Sequence, residues 1–293
     1  MRTNEFYDCA NLISTRIFGA LAIGLVTSIM WEPVRAETGN CNSITNRDPK
    51  YLNTERASHG ITPNRDFTVV NRLPHDREAF TQGLVFHQGY IYESTGLIGL
   101  STLRKIDPGF GRIIRRRSVS TEAFAEGLAV LNEHLLQLTW HSGTGFLYTP
   151  DLNLTDTVSY SGTSWGGVSV NARLVISDGS SWLEYRHPQS LRTIKKLQVT
   201  NQGRPLEGLN ELEYVDGLIY ANIYPTDCIA QIDPNTGRVK FWLDLSGLLP
   251  LSKLAGPSAI ANGIAYNAIT GNLFVTGKFW PYIFELKLMK EQP

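Results

Sequence analysis

One carboxylate in this chain is framed as if to move a proton. Glu126 lies in the phrase Phe124-Ala125-Glu126-Gly127-Leu128, and Gln137-Leu138-Thr139-Trp140 follows it. The phrase recurs with a different polar residue each time: Phe80-Thr81-Gln82-Gly83-Leu84, Leu209-Asn210-Glu211-Leu212 and Ala261-Asn262-Gly263-Ile264. Aligned on their Gly-aliphatic or similar pairs, the repeats bring Gln82, Glu126, Gly166, Asn210 and Asn262 to one equivalent position. Four of these are polar where a purely structural core would take apolar groups, and an unpaired polar group there costs roughly 1–3 kcal/mol. A hydrogen-bonded plug around axial water also accounts for such a ring. The aromatic residues favour a site. Phe80 and Phe124 sit two residues before Gln82 and Glu126, Trp140 and Tyr224 fall just past strand ends, and Lys278 closes Thr276-Gly277-Lys278 at a comparable place. An apolar wall with a few convergent polar groups describes a small-molecule pocket. One acid among amides and a lysine suits proton transfer and stabilisation of a developing charge.

The elements that must position these groups are strands. From Arg65 onward, short β-type runs alternate with Gly, Asp, Pro and Asn, and no stretch shows sustained helical periodicity. Five segments share one grammar. A Gly-aliphatic start leads through a turn to a second strand with a small polar end, such as Tyr90-Ile91-Tyr92-Glu93-Ser94 or Leu174-Val175-Ile176-Ser177. A third strand, such as Ile229-Ala230-Gln231-Ile232-Asp233, and in several segments a fourth follow. Four short strands at a period of about 40 to 52 residues are the signature of a propeller blade. The expected fold is all-β, a five-bladed β-propeller over residues 65–293, with Phe67-Thr68-Val69-Val70 completing the last blade so that no edge is left open. A β-sandwich also has many short strands, but it does not require a recurring motif at this spacing.

Composition narrows the function classes. The 293 residues carry 27 basic and 27 acidic side chains, which gives no footprint for nucleic acid. Arg115-Arg116-Arg117 reads as a solvated strand or turn. Arg2 and Arg16 precede the apolar run Ile17 to Trp31, and Val34-Arg35-Ala36 resembles a cleavage site. Residues 1–36 therefore read as a secretory signal peptide. The run is about 15 residues, short of the roughly 20 that a span needs, with an uncleaved anchor as the alternative. Residues 37–64 read as a partly ordered N-terminal extension. The working domain is expected in the periplasm or secreted, with no membrane contact beyond the signal segment. Cys41 and Cys228 remain there, and geometry decides whether they pair. Among six histidines only His134 and His141 are close in sequence, without ligand spacing, and surface loops explain them. Neither a metal nor another cofactor is expected.

The phrases Phe80-Thr81-Gln82-Gly83-Leu84, Tyr92-Glu93-Ser94-Thr95-Gly96-Leu97, Phe124-Ala125-Glu126-Gly127-Leu128, Gln137-Leu138-Thr139-Trp140, Ser177-Asp178-Gly179, Leu209-Asn210-Glu211-Leu212-Glu213-Tyr214, Asn262-Gly263-Ile264-Ala265-Tyr266 and Val275-Thr276-Gly277-Lys278 run in order from about residue 66 to 288. Together they resemble the plant and bacterial type of glutaminyl-peptide cyclotransferase. That resemblance implies a metal-independent five-bladed propeller that converts an N-terminal glutaminyl residue of a peptide or protein to pyroglutamyl and releases ammonia. A monomer is expected. Glu126 falls on the family's catalytic carboxylate, Gln82, Asn210 and Lys278 on polar site residues, and Phe80, Phe124 and Trp140 on the aromatic wall. Tyr224 falls where the family commonly has Trp. The family's third repeat reads Glu-Gly-Trp-Gly-Leu, whereas this chain reads Ser164-Trp165-Gly166-Gly167-Val168. Either Trp165 fills that wall after a one-residue slip, or the wall is missing.

The implied reaction is intramolecular, so the tether supplies much of the proximity. A proton must pass from the attacking α-amine to the departing amide nitrogen, and Glu126 is the candidate carrier. Charge on the carboxamide oxygen needs donors, for which Lys278, Asn210 and Gln82 are available. Nearby rings should raise the Glu126 pKa and Lys278 should lower it. Asn262 and Trp165 complete the expected substrate-binding set. Two rivals stand beside this expectation: a non-catalytic extracellular propeller that binds peptides or glycans, and a metal-dependent propeller hydrolase such as a lactonase. The second needs several axial carboxylates around a cation, and this ring offers one Glu with amides.

Overall fold

The structure is a computed structural model that describes Cys41 and residues 62–250, 253–256 and 258–289. The expected signal peptide, residues 1–36, and nearly all of the expected extension, residues 37–64, lie outside the described residues. The chain divides into Met1–Val34 and a compact unit from Arg35 to Pro293, and only the latter is described here.

No α-helix occurs among the described residues. After β1 (Phe67–Pro74), strands come in groups of four. Blade 1 holds β2 (Thr81–His87), β3 (Tyr90–Thr95), β4 (Thr102–Ile106) and β5 (Ile113–Ser118). Blade 2 holds β6 (Ala125–Leu131), β7 (His134–Thr139), β8 (Thr144–Tyr148) and β9 (Leu154–Ser159). Blade 3 holds β10 (Gly166–Val170), β11 (Arg173–Ser177), β12 (Trp182–Arg186) and β13 (Thr193–Gln198). A short hairpin of β14 (Thr200–Asn201) and β15 (Arg204–Pro205) leads to blade 4, which holds β16 (Leu209–Val215), β17 (Leu218–Ile223), β18 (Cys228–Ile232) and β19 (Val239–Asp244). Blade 5 holds β20 (Ala261–Asn267), β21 (Asn272–Gly277) and β22 (Tyr282–Leu288). Its fourth strand is β1, paired antiparallel to β22 from Phe67↔Leu288 to Pro74↔Tyr282. The chain's first described strand thus closes its last blade, as the repeats predict.

Sequence explains why the strands layer this way. The innermost strands are buried along most of their length, because each lies between two neighbouring sheets. Outer strands such as β5, which carries Arg115-Arg116-Arg117, are exposed. Four of the five inner hairpins turn on two residues with positive φ: Gln88-Gly89, Asn132-Glu133, Asn171-Ala172 and Asp216-Gly217. That geometry matches the right-handed twist of the strands it joins. Five apolar clusters hold the ring, and each spans two adjacent blades. One joins Leu136 and Leu138 to Leu174 and Ile176, and another joins Leu84 and Ile91 to Phe274 and Ile283. The remaining three fill the other seams. Five seams for five blades close the ring, and each sheet keeps only a short inner and a short outer edge strand, such as β2 and β5.

Cys41 and Cys228 form a disulfide with Cα atoms 5.9 Å apart, which ties the N-terminal extension to β18. Nearby, Arg65 N–H donates to the Trp242 carbonyl and Trp242 N–H donates to the Pro63 carbonyl, so the segment entering β1 lies along blade 4.

Candidate active site

Four of the five inner strands carry a bulge at the same place, and this builds the site. In blade 1, Thr81 pairs with Thr95 and Gly83 with Ser94, so Gln82 is the extra residue. In blade 2, Ala125 pairs with Thr139 and Leu128 with Gln137, so Glu126 and Gly127 together face one partner residue. Asn210-Glu211 and Asn262-Gly263 do the same in blades 4 and 5. A bulge takes its residue out of the ladder and re-aims the side chain. Each bulge also frees a polar side chain from the alternation that would otherwise direct it into a seam. Blade 3 departs from this pattern. Its inner strand keeps register from Gly166↔Ser177 to Val170↔Arg173, and the equivalent residue is Gly166.

The wall residues arrive by a second repeated device. The first residue after each of four second strands donates its N–H to the carbonyl two residues before the polar position. Gly96 donates to Phe80 (2.8 Å), Trp140 to Phe124 (3.0 Å), Tyr224 to Gly208 (2.8 Å) and Lys278 to Ile260 (2.9 Å). Phe80, Phe124, Trp140, Tyr224 and Lys278 therefore rim the same end of the propeller as the bulges.

Their contacts join into one constellation. Phe80 meets Phe124 edge-on at 6.1 Å between centroids, and Phe124 meets Trp140 at 5.8 Å. The Phe124 ring covers Gly96, where a Cβ would lie 2.5 Å from it and 3.0 Å from Gln82 Cγ. Lys278 Nζ stands 4.4 Å from the Phe80 ring centroid and 5.5 Å from that of Tyr224. Trp165 packs edge-on against Tyr224 at 5.7 Å, and its ring lies over Gly179. Asn262 Nδ2 donates to Gln82 Oε1 at 3.3 Å and to the Thr81 carbonyl at 2.9 Å. With its oxygen so engaged, the Gln82 amide turns its N–H side to Glu126, to which it is hydrogen-bonded. Asn210 belongs to the ring by position, and its carbonyl accepts from Ser177 Oγ at 2.6 Å. Gln82, Glu126, Asn210, Asn262 and Lys278 are all at most 2% exposed.

Burial decides the state of the acid. Removal from water lifts the Glu126 pKa well above the usual carboxylate range, and the Lys278 ammonium and the Gln82 hydrogen bond only oppose this. Asn210 Oδ1 and Asn262 Oδ1 are buried and lack a hydrogen-bond partner among the described residues.

The one-residue slip in blade 3 has a steric cause. A Cβ on Gly166 would lie 2.1 Å from the Asn210 carbonyl oxygen and 2.8 Å from Glu211 Cα. Position 166 admits no side chain, and Trp165 occupies that wall instead.

Sequence reasoning missed several residues. Phe279, at φ 60°, brings its ring to 5.3 Å from Phe80. Glu211, fully buried, accepts from the N–H groups of Leu84 (3.2 Å) and Ile264 (2.8 Å), so one side chain clasps three inner strands. Its pKa is raised well above normal by burial and by Glu213 nearby. His141 is exposed on the loop after β7, as expected, with its ring tilted beside Trp140 at 3.9 Å. His75 departs from that reading, its side chain buried against Glu93. For Glu93 a signal was present: it lies opposite Arg104 on adjacent strands, an ion-pair position inside two otherwise buried runs. Among the described residues, the one cluster with metal-ligand atoms is Cys41, Cys228 and Asp244, and its two thiols are spent in the disulfide.

Comparison with known proteins follows the same lines. The family model described as Glutamine cyclotransferase matches residues 46–288. A curated relative from Arabidopsis thaliana, glutaminyl-peptide cyclotransferase, is 38% identical over 238 residues, covering 79% of this chain and 73% of the relative. The crystal structure of Myxococcus xanthus glutaminyl cyclase superposes with a TM-score of 0.73 at 38% identity, over 78% of this chain and 99% of that one.

Proposed function

The chain belongs to the glutamine cyclotransferase family, and from that premise we propose how its site works. As a member, it converts N-terminal glutaminyl residues of peptides to pyroglutamyl residues and releases ammonia. The α-amine nitrogen attacks the side-chain carboxamide carbon. Glu126 takes a proton from that nitrogen and returns it to the amide nitrogen, which leaves as ammonia as the ring closes. The observation that carries this role is the setting of Glu126: buried, next to Lys278 and Gln82, with its pKa raised. A carboxylate so raised is a better base than one in water, and it gives the proton back with little loss.

Lys278 and the Gln82 amide supply donors for the oxygen on which charge develops. The bare oxygens of Asn210 and Asn262 suit a substrate end rich in N–H groups, namely the amine and the carboxamide. Phe80, Phe124, Trp140, Tyr224 and Trp165 wall the glutaminyl side chain and exclude water. Mass spectrometry of a Gln-initiated dipeptide incubated with the protein tests this reading. The parent removes the mass of one ammonia, and Glu126→Gln should not.

The reaction proceeds without a metal. One acid among amides and an ammonium offers little to a zinc shell, which takes thiolate, imidazole and carboxylate ligands. A chelator should leave the rate unchanged. The protein acts in the periplasm or outside the cell, a reading supported by the signal-like N-terminus and the Cys41–Cys228 disulfide. The form proposed to act is the monomer. N-terminal sequencing of the exported protein, expected to begin at Glu37, and its elution volume check both statements.

A further inference from the structure

Glu93 is fully buried, charged, and used by no step above. Its Oε1 accepts from His75 Nε2 at 2.8 Å and from Thr81 Oγ1 at 2.7 Å. Its Oε2 accepts from Arg104 at 3.3 Å, and Arg104 reaches on to Asp76 at 3.1 Å. The second ring nitrogen of His75, Nδ1, lies 2.7 Å from the Trp280 carbonyl. A carboxylate and a carbonyl can only accept, so both ring nitrogens donate and His75 is an imidazolium. Its pKa is raised accordingly: burial works against the charge, and Glu93 outweighs it.

What this relay connects is informative. Thr81 immediately precedes Gln82, and Trp280 lies two residues beyond Lys278. The Thr81 carbonyl also receives Asn262 Nδ2, and Phe279 N–H donates to the Ala79 carbonyl. The relay therefore ties the start of β2 to the turn after β21, across the seam where the ring closes. Those two segments carry the two polar side chains that act on Glu126. Buried ion pairs are seldom a net gain in stability over apolar packing, so four charges at this seam point to a need for fixed geometry. A cleft lined by His75, Asp76, Glu93, Arg104 and Arg112 borders the relay, and no residue of the aromatic wall lines it.

We propose that His75 and Glu93 are positioning residues for the cyclisation, clamping Thr81 and the Trp280 carbonyl so that Gln82 and Lys278 meet the substrate in register with Glu126. The proposal rests on the assignment of Glu126 made above. The test uses Thr81→Val, which deletes only the hydroxyl that Glu93 accepts, Thr81→Ser, which keeps it, and His75→Gln. Steady-state kinetics on a Gln-initiated dipeptide should show kcat about tenfold lower for Thr81→Val and His75→Gln, with KM within about twofold. Thr81→Ser should restore kcat. In a Gln82→Ala background, Thr81→Val should cost less than about a further twofold, because the group it positions is gone. Parent-like kcat in Thr81→Val, or a full tenfold loss on top of Gln82→Ala, overturns the proposal. If His75→Gln does not fold, the Thr81 pair decides alone. Glu126→Gln is run alongside: if it stays active, the assignment of the site fails, and if it is inactive while the Thr81 variants are normal, only the clamp fails.

Discussion

Replacing Glu126 by glutamine should separate activity from stability. The change is nearly isosteric, and the new amide oxygen can still accept from Gln82, so the rings of Phe80, Phe124 and Trp140 keep their packing. What disappears is a group that takes a proton and gives it back. Positioned proton transfer contributes about 10²- to 10⁴-fold, or roughly 3–5 kcal/mol of barrier. The drop should appear in kcat, with KM changed only a few-fold, because the lost interaction is made in the transition state. Stability should move the other way. Burial raises the pKa of Glu126 in the folded protein, so at neutral pH each unit of that rise costs the fold about 1.4 kcal/mol. A neutral amide does not bear that cost, and the variant should melt at or above the parent temperature. Ammonia release in a coupled assay, read beside thermal denaturation at pH 7, tests both halves. Turnover within tenfold of the parent would refute the catalytic role. A fall in melting temperature of the size expected for a core defect would show that the carboxylate is structural.

Lys278→Met keeps the side chain's length over Phe80 and Tyr224 but removes its charge, and kcat/KM should fall on the order of 100-fold; unchanged kinetics would misplace the site. Trp165→Ala should raise KM about three- to tenfold with kcat nearly constant, if the ring only holds substrate against Tyr224. Gly166→Ala should lower stability by at least about 1–3 kcal/mol in denaturant melts, because its methyl group would push into the backbone of Asn210 and Glu211. Stability should peak near pH 4–5. Glu93, held at about 2 by His75, Arg104 and Thr81 against the upward pull of burial, contributes on the order of 3 kcal/mol that is present above the unfolded carboxylate pKa and lost as pH falls towards 2. Glu126 and Glu211 are raised, and Glu213 is raised to about 7, chiefly by burial, so the folded state binds more protons than the unfolded one and stability declines as pH climbs from about 5. The raised pKa of His75 adds to that decline as its proton is lost. A flat profile from pH 4 to 7 would contradict these signs.

The architecture could be read from the chain because a propeller states its plan five times. Each blade repeats the same start, hairpin and small polar strand end, so Phe67–Val70 reads from sequence as the missing strand of the last blade. The ring of Gln82, Glu126, Asn210 and Asn262 was legible for the same reason: a shared bulge leaves a polar residue at a shared offset. What escaped notice lies in contacts between repeats. The sequence offered two fates for the third-repeat tryptophan, and the choice depends on the Asn210 carbonyl, which approaches position 166 from the next blade. Glu211 looks like one more acid in a strand until it is seen to serve the N–H groups of two other blades. Glu93 and Arg104 announce themselves as a cross-strand pair, but His75 comes from a connecting segment, and no local pattern says that it joins them.

The pairing of β1 with β22 has a consequence for how the molecule comes into being. β1 must wait for β22, the last strand of blade 5, to be synthesised before it finds its neighbour. A nascent chain halted before Tyr282 would hold four finished sheets and a fifth of two strands, with β1 left without its partner β22. Closure of the ring is thus deferred until β22 has emerged, and removal of that strand should be felt first at β1.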